Sequence, residues 1–205
     1  MTPPEQVSAS GRLAGRADFA VIARLVTPGS RVLDLGCGEG ELLEWLIRHK
    51  QVSARGVEIS PAKVRRAIAR GVSVYQGDLN EGISDFPDQT FDYVILSQTL
   101  QETQQPLHVL KEILRVGKRA IVSFPNFAHW RARLSMLLSG RAPRTALFPY
   151  EWYESPNIHF LSVQDFESLA AKQGFRIEHR EFIAGDRPIS GFANLRAEVA
   201  VFLLA

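Results

Sequence analysis

Residues 31–40 read RVLDLGCGEG, a short apolar run that leads directly into three alternating glycines. The next segment, residues 41–49, has the apolar spacing of a helix. A strand, a glycine loop and a helix in this order form a turn in which the backbone can approach a ligand closely. A tight turn without a ligand has a similar composition, so the surrounding residues must decide the function of the loop.

Strand and helix patterns continue to alternate on both sides of this unit. Helices are predicted at residues 13–26, 61–70 and 106–116, and strands at 55–59, 72–76, 91–96 and 119–124. Such alternation predicts a parallel α/β sheet with helices on both faces. Ser162 and Asp165 form a capping-box pattern that begins a further helix. The last two strands, 175–182 and 197–204, have no helical segment between them and are expected to pair in antiparallel fashion.

Residues 126–160 interrupt the alternation and are rich in aromatic residues, arginine and proline. We expect them to form a cap insertion over the carboxyl edge of the sheet, within one domain of residues 1–205. No acidic residue lies between positions 126 and 150, where four arginines occur: Arg131, Arg133, Arg141 and Arg144. Two interpretations remain open. The insertion packs its apolar side on the sheet, or it is a docking surface, since arginine and aromatic residues are enriched in interfaces.

The composition excludes several classes of protein. The 24 basic and 22 acidic residues leave a net charge of +2, which gives no electrostatic case for nucleic-acid binding. A single cysteine, Cys37, excludes a disulfide framework and a cysteine-rich metal site. Residues 1–12 resemble a loose leader without a secretory pattern, and the apolar run at 199–205 is too short to span a bilayer. A cytoplasmic protein without a metal or a membrane partner is therefore expected.

The charged residues around the loop indicate the chemical class of its ligand. Position 41 holds Glu41, where the dinucleotide fingerprint requires glycine, so a nicotinamide-dependent oxidoreductase is disfavoured. Asp34 and Glu39 would repel a pyrophosphate and favour a cationic ligand. Glu58 ends the second strand, where a carboxylate can accept both hydroxyls of a ribose. A nucleoside with a positive group, such as S-adenosylmethionine (SAM), fits this combination.

On these motifs, residues 32–124 resemble the core of the class I SAM-dependent methyltransferases. The resemblance implies a Rossmann-like α/β fold, with a mostly parallel seven-stranded sheet and an antiparallel C-terminal strand. It also implies that Asp34 helps to hold the ligand's amino group, that Glu58 binds the ribose, and that Asp78 binds the adenine amino group. The residues expected to bind SAM or S-adenosylhomocysteine (SAH) are Asp34, Gly36, Cys37, Gly38, Gly40, Glu58, Ile59, Asp78, Leu79 and Ser97.

Other interpretations of two of these residues stay open. Asp78 is also explained as an ordinary turn acid, and Glu58 as an acid that lies near a helix N-terminus and interacts with the helix dipole. Cys37 is interpreted as a small residue beside the ligand rather than as a nucleophile, because Asp34 and Glu39 disfavour a thiolate.

Three further segments resemble the methionine biosynthesis protein MetW family: residues 95–101 (ILSQTLQ), 121–131 (IVSFPNFAHWR) and 149–159 (PYEWYESPNIH). They fall in regions where methyltransferases differ most from one another. The resemblance implies a role in methionine biosynthesis beside the homoserine O-acyltransferase MetX, as a partner that supports the acylation step. It does not by itself imply methyl transfer.

Catalytic residues are not identified by the sequence. Methyl transfer needs an aligned nucleophile, and a base when that nucleophile carries a proton. Residues 97–100 read SQTL, unlike the Asn/Asp-Pro-Pro-Tyr motif of amino-group methyltransferases. His129 and His159 are the candidates for a base, and each is also explained as a structural histidine.

Two functions follow from these observations. The first is a SAM-binding partner of homoserine O-acyltransferase, in which SAM or SAH is sensed as an end product of the pathway. The second is a SAM-dependent methyltransferase acting on a small molecule.

Overall fold

The computed structural model describes residues 16–79, 83 and 85–205. The strands are β1 (Arg31–Leu35), β2 (Ser53–Glu58), β3 (Ser73–Gln76), β4 (Tyr93–Ser97), β5 (Ala120–Pro125), β6 (Ile177–Ala184), β7 (Arg187–Ile189) and β8 (Val199–Leu204). The helices are α1 (Ala17–Leu25), α2 (Glu41–Lys50), α3 (Pro61–Ala69), α4 (Pro106–Val116), α5 (Trp130–Ser139), α6 (Val163–Gln173) and α7 (Ala193–Arg196). A 3-10 turn, Leu100–Glu102, follows β4.

The strands form one sheet in the order β3-β2-β1-β4-β5-β8-β6-β7. Strands β1 to β5 are parallel, whereas β8 runs antiparallel to both β5 and β6. The predicted α/β fold class is confirmed, and so is the antiparallel pairing of the last two long strands. The chain reverses its direction of winding between β1 and β4, which is where open α/β sheets bind ligands.

The structure differs from the predicted seven strands at one edge of the sheet. The described residues form eight strands, because β7 pairs with β6 through a two-residue turn at Gly185, whose φ is +58°. The interval between the last two long strands also contains the short helix α7, so the expectation that it lacks a helical segment was wrong. Both elements are three or four residues long, too short for a periodic pattern to reveal.

Side chains of β1 alternate between two buried clusters, one on each face of the sheet. Val32 packs with α1, α2 and α3, whereas Leu33 and Leu35 pack with α4 and α6. This alternation follows from the two-residue period of a strand. It confirms that helices cover both faces. None of the helices in the described ranges is long and apolar enough to cross a membrane.

The predicted start of the helix after Ser162 agrees with the structure. Ser162 and Asp165 form the predicted capping box, in which the Ser162 hydroxyl accepts from the Asp165 amide at 3.2 Å and the Asp165 carboxylate accepts from the Ser162 amide at 2.9 Å. The predicted leader, residues 1–12, and the start of the first predicted helix, residues 13–15, lie outside the described residues.

The insertion is anchored at its start by Asn126, which is fully buried. Its side-chain Nδ2 donates to the carbonyls of Ala197, at 2.8 Å, and Asn194, at 3.1 Å. Helix α5 follows. The rest of the insertion is irregular, and we call its final part, residues 148–160, the aromatic strap. The backbone amides of Ile158 and His159 both donate to the Gln101 carbonyl, at 2.9 and 3.0 Å, and hold the strap against the turn after β4.

Candidate functional site

A cavity of about 450 Å³ opens at the carboxyl ends of the parallel strands, where the strand order reverses. Its walls come from the glycine loop after β1, the end of β2, the segment after β3 and the end of β4. Seven of the ten residues predicted to bind the ligand line it: Gly36, Gly38, Glu58, Ile59, Asp78, Leu79 and Ser97. The cavity lining does not include Asp34, Cys37 or Gly40.

Glu58 connects three parts of the cavity wall. Its side chain is 5% exposed, and its Oε2 accepts from the Gly38 amide at 3.0 Å while Oε1 accepts from the Ser60 amide at 2.8 Å. The carboxylate therefore joins the end of β2 to the glycine loop and to the start of α3. Each carboxylate oxygen has a second lone pair, so Glu58 retains the capacity to accept hydrogen bonds from a ligand.

The first two glycines of the loop meet different requirements. Gly36 has a φ of +76°, and a Cβ at this position would lie 2.7 Å from Oγ1 of Thr99, so the loop passes directly against the turn after β4. Gly38 has a φ of +58°, and a Cβ there would meet no atom within 4 Å. Gly36 is therefore required by packing and by its conformation, whereas the space beside Gly38 is open.

Gly40 lies away from the cavity lining. A Cβ at this position would approach the Ala67 Cβ to 3.0 Å and the Val72 Cγ2 to 3.2 Å. The third glycine of the motif thus lets α2 begin in close contact with α3. This packing role is independent of any ligand.

Cys37 also points away from the cavity. Its side chain is 9% exposed and packs against β2, where a Cβ at Gly56 would lie only 2.4 Å from the Cys37 Sγ. Burial, together with the nearby carboxylates of Asp34 and Glu58, raises the pKa of the thiol. The cysteine is therefore a small core residue behind the loop, and its thiol stays protonated.

Asp34 is a buried carboxyl group on the α1 side of β1. It is 3% exposed, and its Oδ1 has no hydrogen-bond partner within the described ranges. Burial raises the pKa of Asp34 to about 7, and the charges of Asp18 and Glu58 contribute to the rise. A buried acceptor without a donor is suited to the ammonium group of a ligand, directly or through a bridging water.

A buried polar network beside the cavity was not predicted from the sequence. Asp18, on α1, is fully buried and accepts from the hydroxyls of Ser97, at 2.7 Å, and Ser123, at 2.8 Å. Arg16 forms an ion pair with Asp18 at 2.8 Å and donates to the Ser97 hydroxyl at 2.6 Å. Ser97 and Ser123 are paired on adjacent strands, so the network fastens α1 to β4 and β5.

Opposing effects act on the pKa of Asp18. Burial is the largest and raises it, but the hydrogen bonds and charge of Arg16 and the two serine hydroxyls together hold it below its ordinary value. Asp18 is therefore a carboxylate inside the protein. Arg16 also lines the cavity, so the network can contact a bound ligand directly.

One signal in the sequence points toward this network. Two apolar strands each contain one serine, Ser97 at the end of β4 and Ser123 within β5, and each serine is two residues beyond an isoleucine of the α1-side cluster. Asp18 lies beside Phe19 on the apolar side of its helix, where an acid needs a buried partner. The pairing itself is not visible locally, because Asp18 is 79 and 105 residues away from its serine partners.

The two candidate bases do not line the cavity. His129 caps the N-terminus of α5, where its Nδ1 accepts from the Arg131 amide at 3.4 Å, and burial lowers its pKa. His159 belongs to the aromatic strap, and its Nε2 is buried without a hydrogen-bond partner among residues 16–79, 83 and 85–205. The His129 ring packs beside Trp130, and the His159 amide donates to the Gln101 carbonyl.

Comparison with known proteins identifies the relatives of this chain. A family model described as methionine biosynthesis protein MetW matches residues 16–204. The chain is similar to the bifunctional methionine biosynthesis protein MetXA/MetW of Rhodopirellula baltica, with 37% identity over 197 residues. The match covers 90% of this chain but 32% of that relative, so the chain spans a minor part of the relative's length.

Solved structures show the same fold. The chain is similar to a SAM-dependent methyltransferase from Archaeoglobus fulgidus, with a TM-score of 0.67, 16% identity and coverage of 92% of this chain and 91% of the other. It is equally similar to one from Mesorhizobium loti, with a TM-score of 0.67, 17% identity and coverage of 94% and 99%. At these identities the likeness concerns the fold alone, which is the class I methyltransferase fold.

Proposed function

Because the chain belongs to the methionine biosynthesis protein MetW family, we propose that it supports homoserine O-acylation as a SAM- or SAH-binding partner of a MetX-like acyltransferase. The observation that carries this proposal is the relative from R. baltica, whose name joins MetXA and MetW in one chain. Joining two proteins keeps them at a high effective concentration, which favours pairs that work in contact.

The residues of the cavity fit SAM or SAH. Glu58 has free lone pairs for the ribose hydroxyls, and Asp78 and Leu79 line the end where the adenine is expected. Asp34 lies behind this lining, and its orphaned Oδ1 suits the ammonium group of the ligand through a bridging water. The Arg16 guanidinium, which is part of the lining, suits the ligand's carboxylate. The opposite charges of these two groups match the two charges of an amino acid.

Replacement of Glu58 tests whether this carboxylate binds the ribose of SAH. For Glu58→Ala we expect SAH binding to weaken by about 1.5–3 kcal/mol, or roughly 10- to 150-fold, because hydrogen bonds to a charged group are lost. Isothermal titration calorimetry measures the change. Glu102→Ala is the control, since Glu102 is another carboxylate that lines the cavity. Equal losses in the two variants would indicate a general charge effect, and unchanged binding by Glu58→Ala would refute the ribose contact.

The partnership is tested by mixing the chain with a MetX-like homoserine O-acyltransferase. We expect the two proteins to elute as a complex and the acylation rate to be higher in the presence of the chain. The affinity of the chain for the acyltransferase is measured without SAH and with saturating SAH. A ligand changes partner affinity only when it binds the free and complexed forms differently. Absence of both a complex and a rate change would refute the proposal, while equal affinities with and without SAH would refute sensing alone.

A methyltransferase acting on a small molecule is the second candidate, and the fold and the cavity support it. SAM supplies a sulfonium methyl group when it is bound, and the protein must align a nucleophile with it. Incubation with methyl-labelled SAM and a cell extract tests this function. Tight SAM binding without transfer of label to any component would count against it.

A further inference from the structure

Helix α5 presents its large apolar side chains to the solvent. Its buried residue is the small Ala132, whereas Leu137 and Leu138 are 81% and 77% exposed. A helix that packs on its own core normally buries its largest apolar residues. The interpretation that the insertion packs its apolar side on the sheet therefore does not describe α5.

Four exposed apolar residues of α5 form one stripe, whereas Met136, which is 45% exposed, lies outside it. Trp130, Leu134, Leu137 and Leu138 occupy positions i, i+4, i+7 and i+8, which share one side of a helix. Helices that dock in the groove of a partner use anchors with this spacing. Isolated exposed apolar residues are common on protein surfaces, but a four-residue stripe on one helix is a contiguous patch.

The aromatic strap, in the same insertion as α5, carries further exposed rings. Trp152 is 77% exposed and Tyr153 is 66% exposed, and their rings are in edge contact. Part of the strap and residues 141–144 line a groove of about 770 Å³. Phe127 lies in the groove wall and packs against Phe148 and Phe160 at ring-centroid distances of 5.3 and 4.4 Å.

The charged residues of the insertion indicate the chemistry of a partner that would bind it. Four arginines and two glutamates occur in residues 126–160. Arg144 pairs with Glu151, and Arg131 lies 3.7 Å from Glu198. Arg141 lines the groove and forms no ion pair with any described residue. A complementary surface is apolar at its centre and carries carboxylates at its rim.

We propose that the outer stripe of α5 and the aromatic strap form the docking face for the homoserine O-acyltransferase. This inference rests on the proposed function, and the relative that joins MetXA and MetW in one chain is the reason for choosing this occupant. The face contains tryptophan, tyrosine and arginine, the residue types that dominate binding energy at interfaces. Ile158 of the strap also lines the ligand cavity, so the docking face and the cavity share a wall.

The test compares two surface substitutions on different helices. Leu137→Asp combined with Leu138→Asp places two charges on the face, and we expect affinity for the acyltransferase to fall about 100-fold or more. Ile68→Asp is the matched control, because Ile68 is 55% exposed on α3, away from the insertion. SAH affinity is measured for both variants and is expected to be unchanged, which shows that the fold is intact.

Trp152→Ala and Arg141→Glu are second variants that leave α5 untouched. Each is expected to weaken the complex by about tenfold, and the Arg141→Glu effect should shrink at high salt. Binding by the wild-type chain with no loss in any variant overturns the docking face and leaves the proposed function standing. Failure of the wild-type chain to bind overturns both. If the chain self-associates through Leu137 and Leu138 and the variants still bind the acyltransferase, the face binds a second copy of this chain. That result overturns the inference.

Discussion

Asp18→Ala is expected to lower the free energy of unfolding by about 2–4 kcal/mol, the scale for removing one member of a buried charged network. Asp18 is fully buried and holds Arg16, Ser97 and Ser123 together. Its removal leaves the Ser123 hydroxyl, which is also fully buried, with fewer partners. Arg16 is 35% exposed and can turn to solvent, which limits the loss. Urea denaturation at pH 7 measures the change.

Two further variants define the cause of the Asp18 effect. Asp18→Asn keeps the size and one acceptor, so a smaller loss is expected. Asp92→Ala removes a partly exposed carboxylate that pairs with Lys118 and accepts from the Arg31 amide, and its expected cost is smaller than that of Asp18→Ala. If Asp18→Ala costs no more than Asp92→Ala, the network does not fasten α1 to the sheet. Because the folded pKa of Asp18 is below 3.8, its stabilising contribution is complete above that value and is lost as the pH falls through the folded pKa.

Asp34 is expected to make the ligand-free protein less stable as the pH rises from about 4 to about 7. Its pKa is raised to about 7 in the folded protein from a usual value of 3.8, so the folded state retains a proton that the unfolded state releases. Stability therefore decreases with pH across this window. Asp34→Asn removes this dependence, and we expect its stability relative to the wild type to increase by about 2–4 kcal/mol between pH 4 and pH 7.5.

The same titration should affect ligand binding in the opposite direction. An ionised Asp34 attracts the ammonium group of SAH, so wild-type affinity is expected to rise between pH 5.5 and 7.5. Asp34→Asn should bind more weakly at pH 7.5 and show a flatter profile. Asp88→Asn is the control, because its carboxylate is exposed and pairs with Arg115. Parallel pH profiles for the wild type and Asp34→Asn, in both stability and binding, would show that Asp34 does not titrate in this range.

The sequence alone was sufficient to predict the sheet core and most of the cavity. Apolar periodicity located β1 to β5 and their helices, because strands and helices repeat with different periods. The parallel order then brings the carboxyl ends of distant strands to one edge. Gly36, Glu58, Asp78 and Ser97 meet around the cavity for this reason, although they are spread along the chain.

Residues of the same glycine motif face different parts of the molecule, and only the folded structure shows which. The sequence places Cys37 and Gly40 beside Gly36 and Gly38, but Cys37 turns toward Gly56 and Gly40 contacts Ala67. These directions depend on the positions of β2 and α3, which no local pattern specifies. The motif therefore predicted the location of the cavity, but Cys37 and Gly40 are not among the residues that line it.

What the sequence determined by itself is the α/β alternation, the glycine loop and the edge of the sheet that carries the cavity, because each depends on neighbouring residues and on regular spacing. Tertiary structure alone decided the Asp18 network, which joins residues 79 and 105 positions apart. It also decided that Leu137 and Leu138 face solvent, since an apolar helical stripe has the same pattern whether its own core or another protein covers it. Burial is a property of the packed chain, and local spacing cannot supply it.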